Sequence, residues 1–363
     1  MSPQSPPRLY PRRCEICGKG VDLTLCSGCG IVWYCGKDHQ ASDVENHQER
    51  CSEVEASRTE YEEKERHFND AIRRAEPGDW AQLGRDELER EYLYSRNDHA
   101  GALLTTFGYT IEGSGASRRV TGRAEAVEAA LDHLRAMLWD ERCHYYEVLQ
   151  SPIAGLYVAL LRDQEAYDST KRVTLGSAAK TGFTHPAPLA PGADVLEPLL
   201  DLWLHPPHQH ASFPGAVGSS TVLLIKVRAL LDLRNIQNTA RALVGALPRE
   251  ILDLIRGHLP RGALASRPDV LRLDVEATAR IMADLKGQVW ALWRAISAQG
   301  TFLWNIIYDE KCRPVTAGGG EFSTEAADGI RVLVERLALG WLLDTGALDA
   351  LRVLRSSVPN VRT

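Results

Sequence analysis

Eight residues near the start of the chain constrain its folding more than any others: Cys14, Cys17, Cys26, Cys29, Cys35, His39, His47 and Cys51, spaced C-x2-C-x8-C-x2-C-x5-C-x3-H-x7-H-x3-C. The stretch holds six of the eight cysteines and is too short to bury a hydrophobic core of its own. Thiolate and imidazole are the donors zinc prefers, and eight of them make two four-coordinate sites with no position left for a substrate water, so the sites read as structural. The two C-x2-C pairs predict knuckle turns, with Gly18, Gly28 and Gly30 supplying positive φ angles. Cys35 and His39 are four residues apart, as are His47 and Cys51, so each pair can project from one face of a short helix.

The remaining composition agrees with metal rather than disulfides. The opening "MSPQSPPRLYPRR" has no apolar core and reads as a disordered leader over residues 1–13, not as a signal peptide. No run of eighteen apolar residues is present to span a membrane. A cytoplasmic or nuclear protein is expected, and in that reducing setting clustered cysteines bind metal. A net charge of −6 and a pI near 6.0 argue against a dedicated nucleic-acid binder. Within the cluster only Lys19, Lys37 and Arg50 face Glu15, Asp22, Asp38, Asp43, Glu45 and Glu49, which argues against DNA in particular.

This spacing, with the aromatic pair Trp33–Tyr34 just before Cys35, resembles the MYND finger family. The resemblance covers about residues 14–51 and implies two structural Zn2+ ions held in an interleaved way: Cys14, Cys17, Cys35 and His39 on one, Cys26, Cys29, His47 and Cys51 on the other. It also implies a protein-interaction module. In co-repressor members a Gln and a Trp on the last helix form a groove for proline-rich peptides; Gln40 matches the Gln, and Val44 stands where the Trp would be. The aromatic platform for a polyproline ligand is therefore missing. Loss of Cys35 is expected to destroy the finger while sparing most of the helical signal of the chain.

Beyond the finger the periodicity is helical throughout. Residues 52–78 predict a charge-laced, solvated connector helix that ends near "EPGDW". Residues 79–355 predict one all-helical domain, and 356–363 a disordered tail. "RAEAVEAALDHLRAMLWDE" places Val127, Leu131, Leu134 and Leu138 on one helical face, and the segments "LLIKVRALLDLRNIQNTARALVGAL" and "VEATARIMADLKGQVWALWRAISAQG" behave alike. No sustained alternation of period two occurs. The fold class is all-α: a small two-zinc finger followed by an irregular helical bundle or a TPR-like solenoid. As a whole the chain resembles a fungal family in which a MYND finger precedes a long helical region.

The body offers three candidates for chemistry. In "GADVLEPLLDLWL", Asp194, Glu197 and Asp201 share one face if the segment is a helix, either as an acidic stripe complementing the helix dipole or as a functional carboxylate pair. The D-x-x-E pair resembles that of fungal tRNA-dependent, arginine-containing cyclodipeptide synthases. That resemblance implies an acyl transferase in which Asp194 and Glu197 hold a guanidinium or amine and move a proton. An aminoacyl-tRNA user would need a basic surface, for which Arg118, Arg119, Arg123, Lys171 and Arg172 are the candidates. "LPREILDLIRGHL", from Leu247 to Leu259, looks like the opening of an F-box and suggests a ubiquitin-ligase adaptor; Pro at a helix start followed by an amphipathic helix explains the same letters. His205, His208 and His210 read as a Pro-rich surface loop, and Cys143 and Cys312 as small buried residues. "VTAGGGEFST" lacks the Lys–Ser/Thr of a phosphate-binding loop, and no Gly-x-Ser-x-Gly elbow, His-Glu-x-x-His helix, dinucleotide fingerprint or SET-type motif is present. The leading expectation is a zinc-binding protein that acts through a protein partner contacted by its finger or helical surface.

Overall fold

The computed structural model describes residues 8–74, 85–112, 119–138, 146–178, 194–205, 214–243, 245–260, 262–298 and 338–357. The chain divides into two compact units, one built from Pro7–Gly113 and Arg119–Tyr146, the other mainly from Glu147–Thr363. Both are helical, and the sheets are minor.

In the first unit the order is β1 (Arg8–Tyr10), β2 (Thr24–Leu25), β3 (Trp33–Tyr34), α1 (Lys37–Ser42), α2 (Val44–Arg74) and α3 (Arg85–Leu103). A π-helical turn at Leu104–Gly108, β4 (Thr110–Glu112), β5 (Arg119–Arg123) and α4 (Ala124–Leu138) complete it. The leader expected to be disordered over residues 1–13 is ordered from Arg8 onward: β1 pairs in parallel with β5, Leu9 opposite Gly122, and β4 pairs antiparallel on the other edge. A Cβ at Gly122 would stand 2.1 Å from the carbonyl oxygen of Gly108, so only glycine lets β5 pass the π-helical turn this closely.

α2 is not the solvated connector that its charge suggests. It buries Val54, Tyr61 and Phe68, seven residues apart, and packs this thin seam against α3. Phe68 stacks on Tyr92 of α3 with centroids 5.4 Å apart. α4 closes the layer with the predicted face, on which Val127, Leu131 and Leu134 are fully buried and Leu138 nearly so.

The second unit contains α5 (Tyr146–Ala159), α6 (Asp163–Ala178), α7 (Asp201–Leu204), α8 (Pro214–Leu243), α9 (Arg249–His258), α10 (Pro268–Leu271), α11 (Val275–Ala298) and α12 (Thr345–Ser357) among the described residues. α8 is its axis. Every residue from Val222 to Ala229 is buried, and α6, α7, α9, α11 and α12 all pack against this helix. Two of those buried residues are cations. Arg228 donates to Asp163 Oδ1 at 2.6 Å, to Asp344 Oδ2 at 3.1 Å and to the carbonyls of Val158 and Gly340 at 3.0 Å, so its charge is paired and its fork is saturated. Among the described residues no helix is long and apolar enough to cross a membrane.

Candidate metal centre

The local sequence builds the first part of each site twice. After Cys14-x2-Cys17 the amide of Gly18 donates to the Cys14 carbonyl at 2.9 Å; after Cys26-x2-Cys29 the amide of Gly30 donates to the Cys26 carbonyl at 3.0 Å. Gly18 and Gly30 have φ of 72° and 70°, the left-handed conformation a knuckle needs. Gly28 does not take a positive φ, contrary to expectation; its role is steric. A Cβ there would lie 2.6 Å from the Cys51 sulfur, inside the second ligand cradle.

The strands and helices then bring the remaining ligands in. β3 delivers Cys35, α1 carries His39, and the first turns of α2 carry His47 and Cys51. The eight side chains converge in two groups, Cys14, Cys17, Cys35 and His39 in one and Cys26, Cys29, His47 and Cys51 in the other, with all ligand atoms of each group within 4.8 Å of one another. In the first, His39 Nδ1 lies 3.1 Å from Cys35 Sγ and 3.4 Å from Cys14 Sγ, and Cys17 Sγ lies 3.6 Å from Cys35 Sγ. In the second, His47 Nε2 lies 3.3 Å from Cys26 Sγ and 3.7 Å from Cys29 Sγ, and Cys26 Sγ lies 3.7 Å from Cys51 Sγ. A tetrahedron with zinc–sulfur and zinc–nitrogen bonds of ordinary length has edges of roughly 3.5–3.8 Å.

The charges point the same way. Cys17 and then burial push the Cys35 thiol up to about 11, and burial followed by Cys29 and Cys26 pushes Cys51 up to about 12. Burial also raises Cys14, yet the amides of Cys17, Cys35 and Ile16 and the ring of His39 outweigh it and bring that thiol down to about 6. Thiols that oppose one another's ionisation at such short range are resolved by a shared dication. The residues therefore fit two zinc ions, each closed by four protein ligands and so structural in kind.

Residues 14–51 form a MYND finger. They match the family model described as MYND finger over that whole span. The chain is also 38% identical over 56 residues to the histone-lysine N-methyltransferase ASHR1 of Arabidopsis thaliana, a match covering 15% of this chain and 11% of that protein. The chain thus spans about a tenth of that relative's length. No solved structure matches it.

The finger has an outer shell that its spacing does not announce. Tyr34 is buried and donates to Asp43 Oδ2 at 2.8 Å, just ahead of α2. The His47 ring lies between Tyr34, edge-on at 6.0 Å, and Phe107 of the π-helical turn, tilted at 5.8 Å. Arg50 sits 4.4 Å over the Phe107 ring and donates to the Thr106 carbonyl. Glu15, inside the first knuckle, pairs with Arg123 at the end of β5. These contacts fix ligand orientation and tie the finger to the rest of its unit. A lone aromatic such as Phe107, some sixty residues from the ligand it covers, carries no local signal.

The structure places the second candidate differently from expectation. Asp194, Glu197 and Asp201 do not share a helical face. Asp194 opens a turn, its Oδ1 accepting the Leu196 amide at 2.9 Å and its carbonyl accepting the Glu197 amide at 2.9 Å, and α7 begins only at Asp201. Pro198 is the reason, since it drives the residue before it out of the helical region while Asp favours this local turn. Asp194 pairs with Arg267 at 2.7 Å. Glu197 accepts from Tyr167 Oη at 2.8 Å and Lys171 Nζ at 2.5 Å. Beneath the turn the fully buried Lys226 donates to the Glu197 carbonyl at 2.7 Å, and burial, against the pull of Glu197 and Asp194, brings its amine down to about 8.

Of the basic candidates, Arg123 is engaged by Glu15 and Lys171 by Glu197. Arg118 and the Arg119 side chain, His208, His210, Cys143, Cys312 and the "VTAGGGEFST" segment lie outside the described residues. The F-box-like segment forms α9 behind Pro248 and leaves Leu247, Ile251 and Leu254 between 36% and 59% exposed, while Leu252 is buried.

Proposed function

We propose that the chain is a zinc-dependent interaction protein in which the two ions fix the shape of the finger and its surface receives a protein partner in the cytoplasm or nucleus, Cys14, Cys17, Cys26, Cys29, Cys35, His39, His47 and Cys51 being the ligands. One observation carries this reading. Ile16, Val21, Leu25 and Val44 are 38–61% exposed on a segment that buries Ile31, Val32 and Tyr34. Apolar side chains held at the surface by a metal scaffold gain by desolvation against a partner, and the acidic excess of the finger disfavours DNA. The test uses Val21→Asp and Val44→Asp, two exposed residues outside both ligand groups. Both variants should retain two zinc ions per chain by elemental analysis and lose most proximity-labelled partners in cells; an unchanged partner set would place the interface elsewhere.

A second reading is favoured by a separate observation: the D-x-x-E turn already holds one guanidinium, from Arg267, and one amine, from Lys171. These are the groups that an arginine-containing substrate would bring to a tRNA-dependent cyclodipeptide synthase, with Asp194 and Glu197 as the acids that grip them. Extracts from a host expressing the wild type should then contain an arginine-containing cyclic dipeptide that Asp194→Ala/Glu197→Ala removes. Identical extracts would eliminate the enzyme.

A further inference from the structure

The helical layer of the finger unit carries a cluster that zinc binding does not use. Its three helices each contribute one ring. Tyr61 of α2 lies flat on His99 of α3, with centroids 5.9 Å apart and ring planes 1° from parallel. His133 of α4 meets both edge-on, at 5.2 Å from Tyr61 and 4.8 Å from His99, with interplanar angles of 83°. His99 is 3% exposed. Its Nδ1 lies 2.9 Å from Ser57 Oγ, which also lies 2.9 Å from the Val54 carbonyl, so a neutral imidazole satisfies this arrangement. His133 Nδ1 is buried with no hydrogen-bond partner.

A proton on either ring has nowhere favourable to act. On His133 it would add a charge next to a buried nitrogen that lacks an acceptor. Two imidazolium rings at this separation would also repel each other. The charged groups around the pair offer no relief. Arg58 on α2 opposes a positive charge on His99, and Arg96 on α3 opposes one on His133. Glu65 on α2 is engaged by the hydroxyls of Tyr61, at 3.1 Å, and Tyr92, at 3.4 Å. On α4 the flanking Asp132 and Arg135 pair with each other at 3.6 Å, with Asp132 largely exposed.

We propose that Tyr61, His99 and His133 form an acid-sensitive pin: neutral, it holds α4 against α2 and α3, and protonation of the two imidazoles releases α4. Burial and then charge hold both histidines down at about 4 in the folded chain. An unfolded histidine takes up its proton near 6.5. The unfolded or opened chain therefore binds more protons between these limits, and stability falls as pH drops through that window. The device would make the helical support of the finger sensitive to mild acid.

The test is native-state hydrogen exchange on the full zinc-loaded chain at pH 7 and pH 5.2, corrected for intrinsic exchange, with bound zinc measured in the same samples. Zinc ligands also take up protons, so α4 is compared between wild type and His133→Phe, which keeps a ring and cannot be charged. Wild-type α4 amides should lose protection on acidification by at least about tenfold more than those of the variant, in which His99 alone remains to be protonated. Equal loss in both would overturn the pin. If the variant fails to fold, an NMR titration of wild-type histidine ring signals decides: two rings unprotonated down to about pH 5 support the pin, and titration of both near 6.5 overturns it.

Discussion

A methyl group on residue 28 would stand 2.6 Å from the Cys51 sulfur, closer than any carbon tolerates, whereas Gly18 has nothing within 4 Å of the same position. The two glycines therefore fail in different ways. Gly18→Ala meets only the backbone cost of a φ of 72°, about 1–2 kcal/mol, and should still bind two zinc ions. Gly28→Ala pushes Cys51 out of its cradle and should bind one, as elemental analysis of the purified variants would show; two ions in Gly28→Ala would contradict the steric argument. At this scale the convergence of the eight Cys and His side chains into two groups was readable, because metal sites of this kind impose local spacing on the chain. The distinct task of Gly28 was not readable, since C-x2-C spacing marks where a glycine belongs without saying whether conformation or room requires it.

The turn at Asp194–Leu200 shows the limit of periodicity for whole elements. Acid spacing suggested a helix, yet Pro198 and the Asp194 turn outweigh it, and the buried Lys226 then satisfies a carbonyl that a helix would have paired internally. Burying that amine has a pH signature. Its folded value near 8 lies below the ordinary 10.5. Below about pH 8 the amine is charged in both states and the full penalty applies; as pH rises toward 10.5 the unfolded chain still holds a proton that the folded one has released, so stability increases. Between pH 8 and 9.5 the unfolding free energy of the second unit should rise by about 1–2 kcal/mol in wild type. In Lys226→Met it should stay flat, measured by denaturant dependence of exchange in α8; a parallel rise in both would assign the effect to another group. α2 and β1 were misread for related reasons. Three buried residues at intervals of seven are too sparse to stand out within so many charges, and β1 owes its order to β5, far away in sequence.

For the molecule as a whole, the question is where zinc's contribution to folding stops. The sequence suggested that it stops at the finger, with loss of Cys35 sparing the helices. The structure extends it. α2 is one unbroken helix that carries His47 and Cys51 at its start and then Val54, Tyr61 and Phe68 against α3. Phe107, which follows α3, covers the His47 ring, and Arg123, at the end of β5 just ahead of α4, pairs with Glu15 in the first knuckle. Structural zinc sites supply free energies of roughly 10–16 kcal/mol to the chain that folds around them, comparable with the whole stability of a domain. The second unit has its own core around α8 and, among the described residues, contributes no ligand to either cluster. Chelation should therefore strip exchange protection from residues 44–74, 85–103 and 124–138 together, while residues 214–243 and 275–298 keep theirs, and thermal melting should separate into a metal-dependent and a metal-independent step. If only the ligand-bearing segment up to the first turns of α2 lost protection, the finger would be an autonomous module and the contacts of Phe107, Arg50 and Arg123 would be energetically idle. Collapse of both units at once would instead mean that the second core depends on the first.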